Sequence, residues 1–252
     1  MTIFMENREL IQLKKTIEEI ELLFPLDYST KTNQLFDRLQ EQLNYFSELP
    51  QKMIHQLQTI WGYRGFSMES HFAKQGNYQA FDFYPKYKKL LTFDTLSLRK
   101  VMKGRKYNKI IFIGSGALPL SLKLLRLNIQ KVGYDISKEA LVLAKKAVPK
   151  DRFGRRIIYK EGNFFDLKIQ EKKPVIIYVA GLIRGKEIGL KRLAKQLPKG
   201  SLMVVRTVAN DSRGFLYEKI EKQSLYRLGR TREFIPTKDS GVVNGMITVK
   251  IE

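Results

Sequence analysis

The sequence predicts an α/β fold in which a helical domain precedes a mostly parallel sheet. Three observations predict it. Only helical periodicity is found up to about residue 100, short apolar runs then alternate with helical patterns, and the first of those runs ends in a glycine turn.

The helical part comes first. Leu10, Leu13, Ile17, Ile20 and Leu23 recur at helical spacing in a Glu/Lys-rich segment that stops before Pro25. Leu35, Leu39, Leu43 and Phe46 repeat the pattern up to Pro50, and Met53, Leu57 and Trp61 make a third stripe. Such stripes are core-facing surfaces. Gly62, Gly65 and Gly76 punctuate the next stretch, which carries the cluster Met68-Glu-Ser-His-Phe72. A further helix-like segment, residues 84–102, leads into the first strand.

There the period changes. Strands are expected at 110–113, 132–134, 157–159, 175–179 and 202–205, with helical patterns between them, as in parallel βαβ units. Pro198-Lys-Gly200 turns the chain into the fifth. The tail, 234–251, reads as two more strands around a turn at 238–241. The expected division is a helical domain, 1–100, and a Rossmann-like domain, 101–252.

Composition excludes several classes. The chain has 252 residues, no cysteine and no run approaching the ~18 apolar residues of a membrane span. A disulfide framework, a thiolate metal site and a cysteine nucleophile are thereby excluded. The N-terminus has no signal-peptide apolar core, so a soluble cytoplasmic protein without membrane contact is the expectation. The net charge is +21. Its cations are spread along the chain with no aromatic-interleaved RNA motif, so they read first as a solvated surface. Attraction to RNA phosphates stays open, as does a homodimer.

The chemistry begins at the first strand. It ends in Gly114-Ser115-Gly116, and about twenty residues on the second strand ends in Tyr134-Asp135. Strand, glycine turn, helix, strand and acid form the nucleotide-binding half of a Rossmann-like sheet. Pro119 stands where a dinucleotide fingerprint has its third glycine. That argues for a ligand without pyrophosphate, such as S-adenosylmethionine. Asp135 could accept both ribose hydroxyl protons or simply cap the loop before Ser137. Asn163, after the third strand, sits where adenine contacts usually fall, or in a plain turn. Ala180 follows the fourth strand in Ala180-Gly-Leu-Ile183, without the Asn/Asp-Pro-Pro-aromatic motif that holds an amine in amino methyltransferases. With no cysteine to attack a pyrimidine, both common routes to base methylation lose support.

Asp94 lies seven residues after Tyr87, on the same helical face. A carboxylate beside Tyr84 and Tyr87 could deprotonate a substrate amine. Alternatively, the tyrosines pack and Asp94 is exposed. His71 taken alone reads as structural or exposed. Arg206, Arg213 and Tyr217 cluster after the fifth strand, where an arginine could bind a carboxylate bidentately. The competing reading of Arg206 is a salt bridge to Asp211 or to the helical domain.

In order, these pieces resemble the nicotianamine synthase family. Met68-Glu-Ser-His-Phe-Ala73 is similar to its Leu-Glu-Ser-His-Phe, and Phe81-Asp-Phe-Tyr-Pro-Lys-Tyr-Lys-Lys-Leu90 to its Phe-Pro-Tyr-Tyr-Asn-Asn-Tyr-Leu-Lys-Leu. Ile113-Gly-Ser-Gly-Ala-Leu-Pro-Leu120 resembles its Gly-Ser-Gly-Pro-Leu-Pro-Leu. The segment from Val205 to Tyr217 is similar to its Arg-Ser-Ala-His-Gly-Ala-Arg-Ala-Phe-Leu-Tyr, and Phe234-Ile-Pro-Thr237 with Val243-Asn244 to its Phe-His-Pro-Thr and Ile-Asn. Residues 1 to about 60 match only as a helical region.

The resemblance implies transfer of the 3-amino-3-carboxypropyl group of S-adenosylmethionine to the amine of an amino acid. The by-product would be 5′-methylthioadenosine, and the product a nicotianamine-like metallophore. It implies Asp94, Tyr84 and Tyr87 as catalytic residues. Gly114, Ser115, Gly116, Asp135, Asn163 and Ala180 would hold S-adenosylmethionine. Glu69, His71, Arg206, Arg213 and Asn244 would face the substrate, with no metal in the protein. Asp94 stands where the family has a glutamate, Ile235 replaces a histidine and Asn163 an acid, so the acceptor departs from the plant pattern. The alternative is an S-adenosylmethionine-dependent methyltransferase acting on RNA or a small amine.

Overall fold

The computed structural model describes residues 2–208, 215–237, 240, 242 and 244–252, with side chains from residue 8 onward. Helices α1 (Thr2–Glu21), α2 (Thr30–Leu43) and α3 (Gln51–Gln75) come first. Ser29 caps α2, its Oγ accepting from the Thr32 amide at 3.3 Å, and Pro50 opens α3, where a missing N–H is harmless. α3 does not break at Gly62 or Gly65. It runs for 25 residues and stops at Gly76, whose φ of 69° supplies the left-handed turn that ends a helix.

α3 joins two cores. Met53, Leu57 and Ile60 pack with Leu13, Ile17, Leu35 and Leu39 of α1 and α2, and with Phe215 and Leu216. About two to four turns on, Met68, Phe72 and Ala73 enter a second core with α4 (Tyr84–Met102) and one face of the sheet. Glu69 lies in that second half, so α3 carries a polar side chain to the edge of the sheet.

Strands β1 (Lys109–Ile113), β2 (Gln130–Asp135), β3 (Ile158–Glu161), β4 (Ile176–Val179) and β5 (Leu202–Val208) pair in parallel. α5 (Leu120–Leu124), α6 (Lys138–Ala147) and α7 (Lys186–Ala194) connect them. β6 (Gly229–Phe234) and β7 (Asn244–Ile251) complete a seven-stranded sheet in the order β3-β2-β1-β4-β5-β7-β6, with β7 antiparallel to both neighbours. The two tail strands exist, but β6 ends at Phe234 rather than starting there. Its sequence, Gly-Arg-Thr-Arg-Glu-Phe, alternates exposed and half-buried positions at the sheet edge and offers no apolar run.

Phe112, Tyr178, Val204 and Met246 face α4. Ile111, Ile177, Met203 and Ile247 face α7. Strand order reverses between β1 and β4, and in open α/β sheets the crevice beyond the carboxyl ends of the strands at such a switch takes the ligand. Among the described residues no helix is long and apolar enough to cross a membrane.

Candidate active site

β1 runs into Gly114 (φ 75°) and Gly116 (φ 70°), a backbone shape that only glycine adopts without strain. The Gly114 and Ser115 amides donate to the Tyr134 carbonyl at 2.8 and 3.0 Å, closing the turn onto β2. Asp135 supports it from the tip of β2. Its Oδ2 accepts from the Gly116 amide at 2.8 Å and its Oδ1 from the Ser137 amide at 3.0 Å. Ala180, at the end of β4, donates its amide to the Ile113 carbonyl at 3.0 Å, and a side chain on Gly114 would meet its Cβ at 3.2 Å. The two strands of the switch therefore end side by side.

Glu69 lies over this turn. Its Oε2 accepts from the Ala117 and Leu118 amides at 3.0 and 3.3 Å. A Cβ on Gly116 would stand 2.1 Å from the same oxygen, so any larger residue there would collide with it. Burial pushes the Glu69 carboxyl up to about 8, with Asp135 adding to the rise and the two amides opposing it. Tyr87, raised by its own burial, lies within electrostatic reach of Glu69, Arg206 and Tyr217.

Beyond β4 the polar groups are fully buried. Asp94 is 0% exposed, so the reading that leaves it in solvent fails. Its Oδ2 accepts from Tyr178 Oη at 2.7 Å and Arg206 Nη2 at 2.9 Å. Burial raises its carboxyl, against the pull of Arg206 and Tyr178. The Arg206 guanidinium also sits 5.1 Å over the Tyr178 ring, which stacks on Phe112 at 4.7 Å. Of the two fates read for Arg206, the helical partner is realised, and Asp211 lies outside the described residues. Among the described residues, Asp94 Oδ1, Arg206 Nη1 and Asn244 Oδ1 are buried with no hydrogen-bond partner. Each such atom carries an unmet desolvation penalty of ~1–3 kcal/mol, which a polar ligand would relieve.

Other expected residues go elsewhere. Tyr84 packs on the Tyr78 ring at 5.9 Å under Lys88 rather than joining Asp94. His71 stacks on Tyr28 at 4.6 Å and pairs with Gln75, because two residues along a helix turn it ~200° away from Glu69. Asn163 uses its Oδ1 to accept from the Phe165 amide at 3.0 Å, so its acceptor closes a turn. Ser115 Oγ faces Gly133 of β2, and only its backbone lines the turn. Arg213 and Val243 lie outside the described residues. Among the described residues no three His, Cys, Asp or Glu side chains converge as a metal site.

The family model described as "Nicotianamine synthase protein" matches residues 5–251. The chain belongs to the nicotianamine synthase family. "Nicotianamine synthase 9" of Hordeum vulgare is 26% identical over 179 residues, 68% of this chain and 52% of the relative. "Nicotianamine synthase 3" of Arabidopsis thaliana is 26% identical over 263 residues, covering 94% and 78%. The chain spans about half the length of the first of these relatives. MtNAS in complex with MTA and tNA superposes with a TM-score of 0.69 at 16% identity, covering 96% of this chain and 98% of that one. At that identity the likeness shows the fold, a Rossmann-like sheet with added helices. Within this family fold, Tyr178 is the site residue that sequence reading passed over. It sits in an all-apolar strand, and its one signal is that a buried tyrosine hydroxyl needs a partner.

Proposed function

We propose that this protein transfers the 3-amino-3-carboxypropyl group of S-adenosylmethionine to the amine of an amino-acid acceptor, releasing 5′-methylthioadenosine. The observation that carries the reading is Glu69, a half-buried carboxylate whose pKa burial raises to about 8, directly over the glycine turn. Gly114 and Gly116 add no side chain to the turn, where Ile183 and Glu69 come closest, and Asp135 has lone pairs left for ribose hydroxyls. Glu69 takes the acceptor's proton, since a base works best when its pKa lies near the working pH. The amine nitrogen then forms a bond to the methionyl γ-carbon, the C–S bond breaks, and its electron pair stays on sulfur as a neutral thioether. Positioning supplies most of the acceleration, because a sulfonium is already a good leaving group.

Asp94, expected above as the base, is the poorer candidate. Its proton would strand Arg206 as a lone buried cation. The unpartnered Asp94 Oδ1, Asn244 Oδ1 and Arg206 Nη1 instead match an α-amino acid, the first two receiving its ammonium and the third its carboxylate. These are positioning contacts. Family membership and the whole-chain likeness to MtNAS, which has been solved with MTA, support the transferase reading. A product built of amines and carboxylates chelates metal, which makes it a nicotianamine-like metallophore.

Purified protein given S-adenosylmethionine and an amino-acid pool is expected to form 5′-methylthioadenosine, identified by mass spectrometry. Formation of S-adenosylhomocysteine would make the protein a methyltransferase instead.

A further inference from the structure

The loop between α6 and β3 enters the sheet at the end opposite the site. Lys145, Lys146, Lys150, Arg152, Arg155 and Arg156 are all exposed there, and the one acid in that run, Asp151, is 2% exposed. Asp151 points inward. Its Oδ2 lies 3.2 Å from Nζ of the buried Lys131, and its Oδ1 accepts from the Phe153 and Arg155 amides at 2.8 and 3.0 Å. The Asp151 amide donates back to the Arg155 carbonyl at 2.8 Å, and a bridge pairs Lys150 with Arg156 around Gly154, whose φ is 77°. Lys123 Nζ holds the near side by donating to the Lys150 carbonyl at 3.0 Å. An inward acid thus fixes the backbone of a tight hairpin and leaves its outward surface wholly cationic.

Phe153 stands at the tip, 44% exposed, with Lys131 Nζ 5.6 Å and the Arg152 guanidinium 5.7 Å from its ring centre. The exposed part of the ring forgoes some packing gain. A part-exposed ring beside a guanidinium, on a cationic hairpin, can stack a base while the cations track phosphates. A cationic coat alone would not need the ring, and insertion into an acidic membrane would need more apolar surface than one ring per hairpin.

We propose that this hairpin binds single-stranded RNA, with its arginines and lysines on successive phosphates and Phe153 stacked on a base. Because the hairpin and the glycine turn lie at opposite ends of the sheet, RNA leaves the reaction site open. The proposal is independent of the proposed transferase activity.

Fluorescence anisotropy with an end-labelled RNA of about 15 nucleotides, at about 50 and 200 mM salt, tests it. R152A/R155A/R156A is expected to weaken binding at least tenfold and to lower the salt slope by about two to three. F153A is expected to weaken single-stranded binding about fivefold or more and to leave a duplex of equal length unaffected. K168A/K172A/K173A removes the same charge from another exposed segment and should change affinity less than threefold. All variants should melt like wild type and release 5′-methylthioadenosine at its rate. Equal losses in the two triple variants, an F153A variant with undiminished single-strand affinity, or tighter binding to phosphatidylserine vesicles than to RNA would each overturn the proposal.

Discussion

Glu69, half-buried, and Asp94, fully buried, are carboxylates at the same end of the sheet, and burial raises both. Their company differs. Glu69 accepts from two neutral peptide amides, and the charged neighbour that acts on it is another acid, Asp135. Asp94 shares one oxygen between a guanidinium and a phenol. Enclosure makes the proton harder to lose in both. The partner decides whether that proton can be exchanged without stranding a second charge. Protonating Glu69 weakens two hydrogen bonds from backbone amides, whereas protonating Asp94 leaves Arg206 unpaired in the interior, a penalty of several kcal/mol.

The most forceful way to break this contrast is Glu69→Gln. As general base, Glu69 must be unprotonated, so kcat/KM is expected to rise with pH and level off above about 8. The variant keeps the shape and one acceptor oxygen but should lose about 10²–10⁴ in kcat together with that limb of the profile. Stability gives a second readout. Glu69 holds its proton more tightly folded than unfolded, so its contribution is full below the ordinary 4.5 and is lost as pH rises through about 8. Melting temperature should therefore fall across that window in wild type and fall less in the variant. A surviving pH limb would return the base role to Asp94.

Next in size is Asp94→Asn, which removes the counter-charge of Arg206. Breaking one side of a buried ion pair typically destabilises by ~3–5 kcal/mol, measurable by urea denaturation. D94N/R206M should recover most of that stability and none of the turnover. If D94N alone were as stable as wild type, Arg206 would have another counter-ion and the clamp would be no clamp. A smaller loss is expected for Gly116→Ala. It forces an L-residue to φ 70° and places its Cβ 2.1 Å from Glu69 Oε2. The strain is ~1–3 kcal/mol, and displacement of Glu69 should shift the pH limb as well as weaken methylthioadenosine binding in calorimetry.

What was legible follows the distance over which each feature is decided. β1 and β4 are continuous apolar runs bounded by turns, so 110–113 and 175–179 are readable alone; β6 is an edge strand built on Arg230 and Arg232 and shows no such run. The glycine turn is local, and so are its φ angles. The Asp94–Arg206 pair joins residues 112 apart, and Glu69 meets its amides 48 and 49 residues away. No spacing rule reaches those contacts. His71 shares a motif with Glu69, yet helical geometry sends it to Tyr28. Sequence reading can name the groups at such a site, but which of two carboxylates titrates depends on partners that only the fold supplies.

Tyr178→Phe is the gentlest test. The substitution deletes one oxygen and keeps the ring that stacks on Phe112 and lies under Arg206. Asp94 retains Arg206, so it stays anionic, although losing the Tyr178 donor lifts its carboxyl further. One hydrogen bond to a charged group with a second donor in place should contribute about 1–1.5 kcal/mol, and turnover should stay within about tenfold, the pH limb unmoved. Were kcat to fall as far as in the Glu69 variant, the phenol would be carrying the proton, and the two carboxylates would have to be treated as one coupled system rather than as a base and a clamp.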